Sequence, residues 1–431
     1  MGAWGRWSRT ERHPSDIPPK IIHALVIRSD DDGVVRRPPP LTPLVGLFAA
    51  VASALAISAC GVSSNPGPST GQPGPVASTT PSPGPRSESA GVKPPLAGLI
   101  DMGVQTPYQL DLPFPTVDTA AITPYAGSFA GIVVNETWAQ LEPAQGNEDW
   151  SPLDASLAAV RQWNATHSST PVGVKLRIFA GNTAPDWAKA LGGPSVTVAT
   201  TGVSKTYGAW WTAPYRQAWS SFQHAMAARY DSNPLVQAVS AGSCATLTGE
   251  PFVMNLTRPA IQVMEAAGWT PQAQESCLQG VLADYSGWVR TPVDFAFNPY
   301  RTVVAGAAVP DQSFTDQVMQ ACSDSRSHGG PTCVLGNNGL SATAATDRSG
   351  PVYAQIDALW RQTPGRVGVY FQTVGSGVDC GAIDVAVSYH ASSVELWPPN
   401  HGYRGFAGIP SSTLARWNGA LRSGSSLTCS A

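Results

Sequence analysis

Along residues 95–431, short apolar runs alternate with longer amphipathic stretches. Eight runs have the length of strands: Leu96–Val104, Phe129–Val134, Val172–Phe179, Val236–Ser243, Val293–Asn298, Cys333–Asn337, Arg366–Gln372 and Ser393–Trp397. Between them lie segments with helical spacing, such as Asp154–Trp163 and Tyr215–Tyr230. In the second of these, Trp219, Phe222, Met226 and Tyr230 recur at three- and four-residue intervals. A βαβα alternation predicts a parallel sheet closed by helices. Eight units predict a single closed (β/α)8 TIM barrel with loop insertions, α/β in class. No self-similar repeat of fixed period runs through the chain, so a solenoid is not expected.

Ahead of the barrel the pattern changes. The one long apolar run, Pro43–Ala59, follows Arg36-Arg37 and precedes Cys60-Gly61. A basic stretch, an apolar stretch and small residues before a cut form a signal peptide. Ile57-Ser58-Ala59-Cys60 resembles a bacterial lipobox, which implies a lipid on Cys60 and a mature chain held at the outer face of the bacterial cell membrane. A transmembrane anchor is the alternative, and would want roughly 20 apolar residues. Residues Met1 to Gly33 carry mixed charges and no hydrophobic period, which fits a translation start nearer Val34; export by Sec or by Tat stays open. From Val62 to Ser89 the chain is nearly all Pro, Gly, Ser and Thr, too poor in apolar residues to bury a core. Residues 1–59 therefore read as N-terminal extension and signal peptide, 60–94 as a lipid-anchored flexible linker, and 95–431 as the barrel domain.

Composition narrows the function. With 26 basic and 29 acidic residues and 13% charged residues, no basic stripe is available for a phosphate backbone, and nucleic acid is not an expected partner. Setting Cys60 aside, six of the seven cysteines remain: Cys244, Cys277, Cys322, Cys333, Cys380 and Cys429. An even number in an oxidising compartment predicts three disulfides, with fifteen pairings possible. Proximity favours Cys322–Cys333, and Cys244–Cys277 and Cys380–Cys429 follow by elimination. No Cys-x-x-Cys or His-x-x-x-His spacing points to a metal, no Gly-rich phosphate loop points to a nucleotide, and no cofactor is implied.

In such barrels the chemistry sits at the C-terminal ends of the strands. The residues there are Gln105 and Tyr108; Asn135, Glu136 and Trp138; Asn182, Asp186 and Trp187; Glu250; Asn298, Tyr300 and Arg301; Asn337 and Asn338; Gln372; and Glu395 and Trp397. Amides and carboxylates bond hydroxyl groups, and indole faces cover the apolar side of a sugar ring, so the set suits an oligo- or polysaccharide. Trp187, Trp210, Trp211 and Trp397 are candidate stacking platforms. The insertion Leu191–Tyr207 is read as a long loop that could fold over a ligand.

The run Trp138-Ala-Gln-Leu-Glu142-Pro143-Ala-Gln-Gly146-Asn-Glu-Asp-Trp150-Ser-Pro-Leu-Asp154 resembles the W-x-x-x-E-P-x-x-G-x-x-D-[FW]-x-x-[LI]-D signature that follows the second strand of clan A glycoside hydrolases such as bacterial β-galactosidases. Ala184-Pro185-Asp186-Trp187 and Thr248-Gly249-Glu250-Pro251 are similar to that clan's third- and fourth-strand motifs. The resemblance implies a retaining hydrolase with an acid/base glutamate after strand four and a nucleophilic carboxylate after strand seven; a monomer is expected. Two carboxyls about 5–5.5 Å apart allow one to attack the anomeric carbon while the other protonates the leaving oxygen.

Glu250 fits the acid/base slot. Strand seven departs from the clan, ending Tyr370-Phe371-Gln372-Thr373, with an amide where the nucleophile should stand. The only later strand glutamate is Glu395, on the eighth run. Three readings follow: the strand count is off by one, strand eight supplies the nucleophile, or the barrel binds sugar without cleaving it. Glu250 and Glu395 are thus the candidate catalytic pair, and Trp138, Asn182, Trp187, Asn298, Tyr300, Asn337, Gln372 and Trp397 the candidate substrate-binding set. An importer's binding lipoprotein shares the signal and linker, and would show two lobes instead of one ring of strands.

Overall fold

The computed structural model describes residues 91–103, 113–200, 203–253, 256–363, 367–374, 377–399 and 405–429. Cys60, the signal peptide and residues 60–90 of the expected linker lie outside the described residues, as do Gln105 and Tyr108; at the linker's end Lys93 is already buried, with Nζ bonded to the Val236 carbonyl and Thr291.

Eight parallel strands close into a barrel: β1 Gly98–Asp101, β2 Gly131–Thr137, β3 Gly173–Phe179, β4 Val236–Ser240, β5 Val293–Ala296, β6 Cys333–Leu340, β7 Gly368–Thr373 and β8 Ser393–Leu396. The ring closes where Gly98 pairs with Ser393 and Ile100 with Glu395. Each strand coincides with one of the eight predicted runs, with shifted ends. β4 stops at Ser240 because the chain then leaves the ladder for a long loop in which Cys244 takes a positive φ of 57° and is tied by a disulfide to Cys277 on the helix Pro271–Asp284. β6 runs on to Leu340 through a register shift against β7.

Side chains alternate across each strand. The outer face packs Leu99, Ile132, Val134, Leu176, Val239, Phe295, Leu335, Phe371 and Val394 against the surrounding helices, all buried. The inner face is apolar over Leu96, Ile100, Val133 and Ala238. It then turns polar, and this change of character positions the site.

Two insertions are ordered as hairpins. Val196–Thr200 pairs antiparallel with Val203–Tyr207, and Arg301–Val304 with Ala307–Pro310. The stretch read as a loop at Leu191–Tyr207 is therefore largely a two-stranded ribbon, packed against the helix Arg258–Ala266. Its alternating Val and Thr satisfy a ladder, which a search for barrel strands overlooks. The three expected disulfides, Cys244–Cys277, Cys322–Cys333 and Cys380–Cys429, are all present.

The signature after β2 is a brace. The Trp138 indole N–H donates to Glu142 Oε2 at 2.7 Å, and Glu142 Oε1 accepts the backbone N–H of Gly146 at 2.8 Å. Trp187 donates to the Glu142 carbonyl. Asp154 receives Arg229 and Tyr230 of the helix Ala213–Tyr230 at 2.6 and 2.9 Å. Trp138, 0% exposed, is walled by Trp187, Tyr215 and Trp219. Its expected role on a ligand is corrected: the ring is spent on packing and its one donor is taken.

Candidate active site

Lys175 and Arg177 lie two residues apart on β3, so both project into the barrel. Lys175 Nζ meets Glu395 Oε1 of β8 at 2.5 Å and Asp294 Oδ2 of β5 at 2.6 Å, while Arg177 Nη2 bonds Glu395 Oε2. The ring of Tyr370, on β7, lies 3.8 Å from the ammonium. Four strands are joined across the interior by these contacts. Burial alone would raise Glu395, but Arg177 and Lys175 outweigh it and hold the carboxyl below its usual range. Asp294 goes the other way: burial raises it more than Lys175 lowers it.

Glu395 therefore stands on strand eight, and the off-by-one reading is corrected. As a nucleophile it is corrected too. The residue is 0% exposed, and each carboxylate oxygen faces its own cation. A carboxylate locked between two buried cations is a structural counter-ion.

Above this network the inner face presents uncharged polar groups. Asn135 on β2 gives its amide N–H to the Met102 carbonyl, and its Oδ1 has no partner among the described residues. Ser240 Oγ on β4 and Gln372 Oε1 on β7 are likewise buried and have no partner among the described residues. Gln372 pairs in register with Glu395, and the β6/β7 register sets Asn338 beside it, since Asn337 pairs with Phe371.

Glu250 reaches this mouth from the loop after β4. Gly249 makes that possible: a Cβ there would meet Arg177 Cγ at 2.7 Å, so only glycine lets the loop lie on the Arg177 stem. The loop is pinned by Thr246, whose N–H donates to the Phe252 carbonyl and whose carbonyl accepts from Asn182 N, and by Gln274, which donates to the Cys244 carbonyl. Unlike Glu395, Glu250 is partly exposed. Burial raises its pKa, with Arg177 opposing and Glu395 adding to the rise, and the Asn338 amide lies beside the carboxyl. A carboxyl that holds its proton above the usual range and still touches solvent is suited to general acid work.

The other expected residues divide. Trp397, following β8, is half-buried and donates its indole N–H to the Thr373 carbonyl at 2.7 Å. Trp187 is half-buried in the brace. Asn298 and Tyr300 border a separate apolar pocket between β5 and the helices Pro271–Asp284 and Gln312–Asp324, with Phe252, Phe297 and Phe314. Tyr300 gives its hydroxyl to the Pro271 carbonyl. Asn337 is corrected as a ligand contact: it is 1% exposed, and its amide joins the Phe297 carbonyl to the Gly339 N–H. Asn182 is buried under the Glu250 loop. Trp210 belongs to the core, bonded to Gln274. Glu136 points outward beneath the helix Ser151–Thr166, where burial pushes its pKa up to about 8 against the pull of Ser156.

Lys175, Arg177 and Asp294 were not anticipated. The sign was present in Val174-Lys-Leu-Arg-Ile178, two cations on one face of a strand otherwise apolar. A charged face on a strand buried on both sides demands counter-charges inside the barrel.

No protein-family model and no curated protein sequence matches this chain. Among solved structures it is similar to endo-glycoceramidase II from Rhodococcus sp. The ganglioside GM3 complex of that protein aligns at 16% identity and a TM-score of 0.45, over 75% of this chain and 79% of that one. The five-membered iminocyclitol complex gives 16% and 0.44, over 75% and 78%. The lactosyl-enzyme intermediate gives 14% and 0.43, over 72% and 76%. Likeness at this level carries no functional inference.

Proposed function

We propose that this chain is a lipid-anchored, carbohydrate-active barrel that takes a glycan of the envelope or its surroundings into its mouth, with Glu250 as the acid that protonates a glycosidic oxygen. One observation carries the reading. Asn135, Ser240 and Gln372 turn buried, unpartnered polar atoms to the inner face of the barrel mouth that Glu250 enters. Buried polar groups are ordinarily satisfied, and a polyhydroxylated ligand supplies the missing partners. The Trp138–Asp154 signature supports the same class by resemblance. A single closed ring of strands does not fit the two lobes of an importer's binding protein.

Glu395 takes no direct part. It keeps Lys175 and Arg177 in place, and Arg177 in turn supports the Glu250 loop. A second reading, a glycan-binding lipoprotein without hydrolysis, is favoured by the amide of Gln372 and the closure of Glu395.

A panel of aryl glycosides and envelope oligosaccharides separates the two. Hydrolysis that falls by roughly a hundredfold or more in Glu250→Gln, with binding retained, supports the enzyme. Binding without turnover by the unaltered chain supports the second reading, and neither binding nor turnover overturns both.

A further inference from the structure

Both two-carboxylate routes to glycoside hydrolysis need a second free carboxylate, as nucleophile or as the base for a water. Besides Glu250, the described carboxylates inside the barrel are Glu395 and Asp294, both engaged by β3 cations. Glu395 is 0% exposed and Asp294 5%. The position beside Glu395 on β7 belongs to Gln372, whose Oε1 is buried with no donor on it. A glutamine side-chain oxygen, unlike an acetamido oxygen that closes a five-membered ring within its own sugar, does not replace a carboxylate as an external nucleophile, but it is a good acceptor for an N–H.

We propose that the substrate is a 2-acetamido sugar whose own acetamido oxygen attacks the anomeric carbon, with Gln372 Oε1 accepting the acetamido N–H and Glu250 protonating the leaving oxygen. This rests on the hydrolytic reading of Glu250. In the first step the acetamido oxygen forms a bond to C1 as the bond from C1 to the leaving oxygen breaks. That oxygen takes the Glu250 proton, and the sugar becomes a protonated oxazoline whose N–H stays on Gln372. In the second step Glu250, now a carboxylate, removes a proton from water as the water oxygen bonds to C1 and the oxazoline C1–O bond opens. The acetamide is regenerated, Glu250 is again protonated, and the anomeric configuration is retained. Water is the only co-reactant.

The arrangement accounts for two features together. It needs one free carboxyl, and among the described residues inside the barrel Glu250 is the one not held by a β3 cation. It also needs a buried acceptor near the sugar's C2 substituent, which is what an otherwise costly unpartnered Oε1 provides. A sugar with a hydroxyl at C2 brings no internal nucleophile, so discrimination against it should be large.

The test uses the full chain with 4-methylumbelliferyl β-N,N′-diacetylchitobioside and the matching β-cellobioside, together with the α-linked pairs. Cleavage of the acetamido substrate at least ~100-fold faster than its hydroxyl counterpart is expected. So is a stepwise fall in kcat/KM from N-acetyl through N-fluoroacetyl and N-difluoroacetyl to N-trifluoroacetyl, because each fluorine weakens the attacking oxygen. Gln372→Leu should lower kcat on the acetamido substrate tenfold or more while the fold's melting temperature holds. Comparable rates on both sugars with no fluorine dependence would overturn the inference and leave the hydrolase reading standing. No cleavage of any of the four would overturn the inference, and the hydrolase reading falls with it only when the wider panel of glycosides is uncleaved too.

Discussion

At the scale of the residue, two glutamates of one barrel have opposite fates because of what each meets. Glu395 is surrounded by Arg177 and Lys175 and stays ionised; Glu250 is partly desolvated and tends to keep its proton. Glu395→Gln should remove the ion-pair partner of Arg177 among the described residues and one of two for Lys175, leaving buried charge poorly compensated. Breaking a buried pair in this way costs about 3–5 kcal/mol, to be read from chemical denaturation. Glu250→Gln, at a position that meets solvent, should shift stability by less than about 1 kcal/mol. Equal effects from the two substitutions would contradict the roles assigned. Where Glu250 serves as the acid, activity should fall as pH rises through its elevated pKa, since only the protonated form can donate.

At the scale of the element, β2 and its helix carry two lessons. The Trp138–Asp154 signature was fully legible, yet its residues build a brace and not a cleft: Trp138, Glu142 and Gly146 close one turn, and Asp154 clamps Arg229 and Tyr230. A motif that fixes a strand-to-helix connection repeats in sequence as faithfully as one that touches substrate. The same strand turns Glu136 outward beneath Ser151–Thr166, where its pKa rises to about 8. The folded state thus holds a proton that the unfolded chain releases near pH 4.5. Stability from this group is fully present below that pH and is lost as pH rises toward 8. The slope should be about 1.4 kcal/mol per pH unit at its steepest. Asp101 on β1, raised to about 7 by burial, adds a slope of the same sign. Glu136→Gln should flatten the curve between pH 5 and 8, measured as midpoints of urea unfolding; an unchanged slope would show that Glu136 ionises freely in the fold.

At the scale of the whole molecule, the proposal ties a barrel to a membrane by a linker. Incorporation of labelled palmitate into the exported chain, and its loss together with membrane association in Cys60→Ala, is the expected outcome. Label retained in that variant would remove Cys60 as the anchor. Two of the disulfides tie loops and tail to helices: Cys244–Cys277 holds the Glu250 loop to the helix Pro271–Asp284, and Cys380–Cys429 ties the C-terminal tail to the helix after β7.

The sequence by itself determined the number of strands, their order around a single barrel and the position of Glu250 after β4, and cysteine proximity favoured, among fifteen pairings, the three disulfides that form. Each of these is written in local periodicity, in chain order or in cysteine proximity. Tertiary structure alone decided which polar residues face one another across the ring. Lys175 and Glu395 are 220 residues apart in the chain and 2.5 Å apart in space, and nothing local to either states that their charges cancel. That pairing holds Glu395 between two cations, because inside a barrel the free energy of a charge depends on its cross-barrel partners more than on its neighbours in sequence.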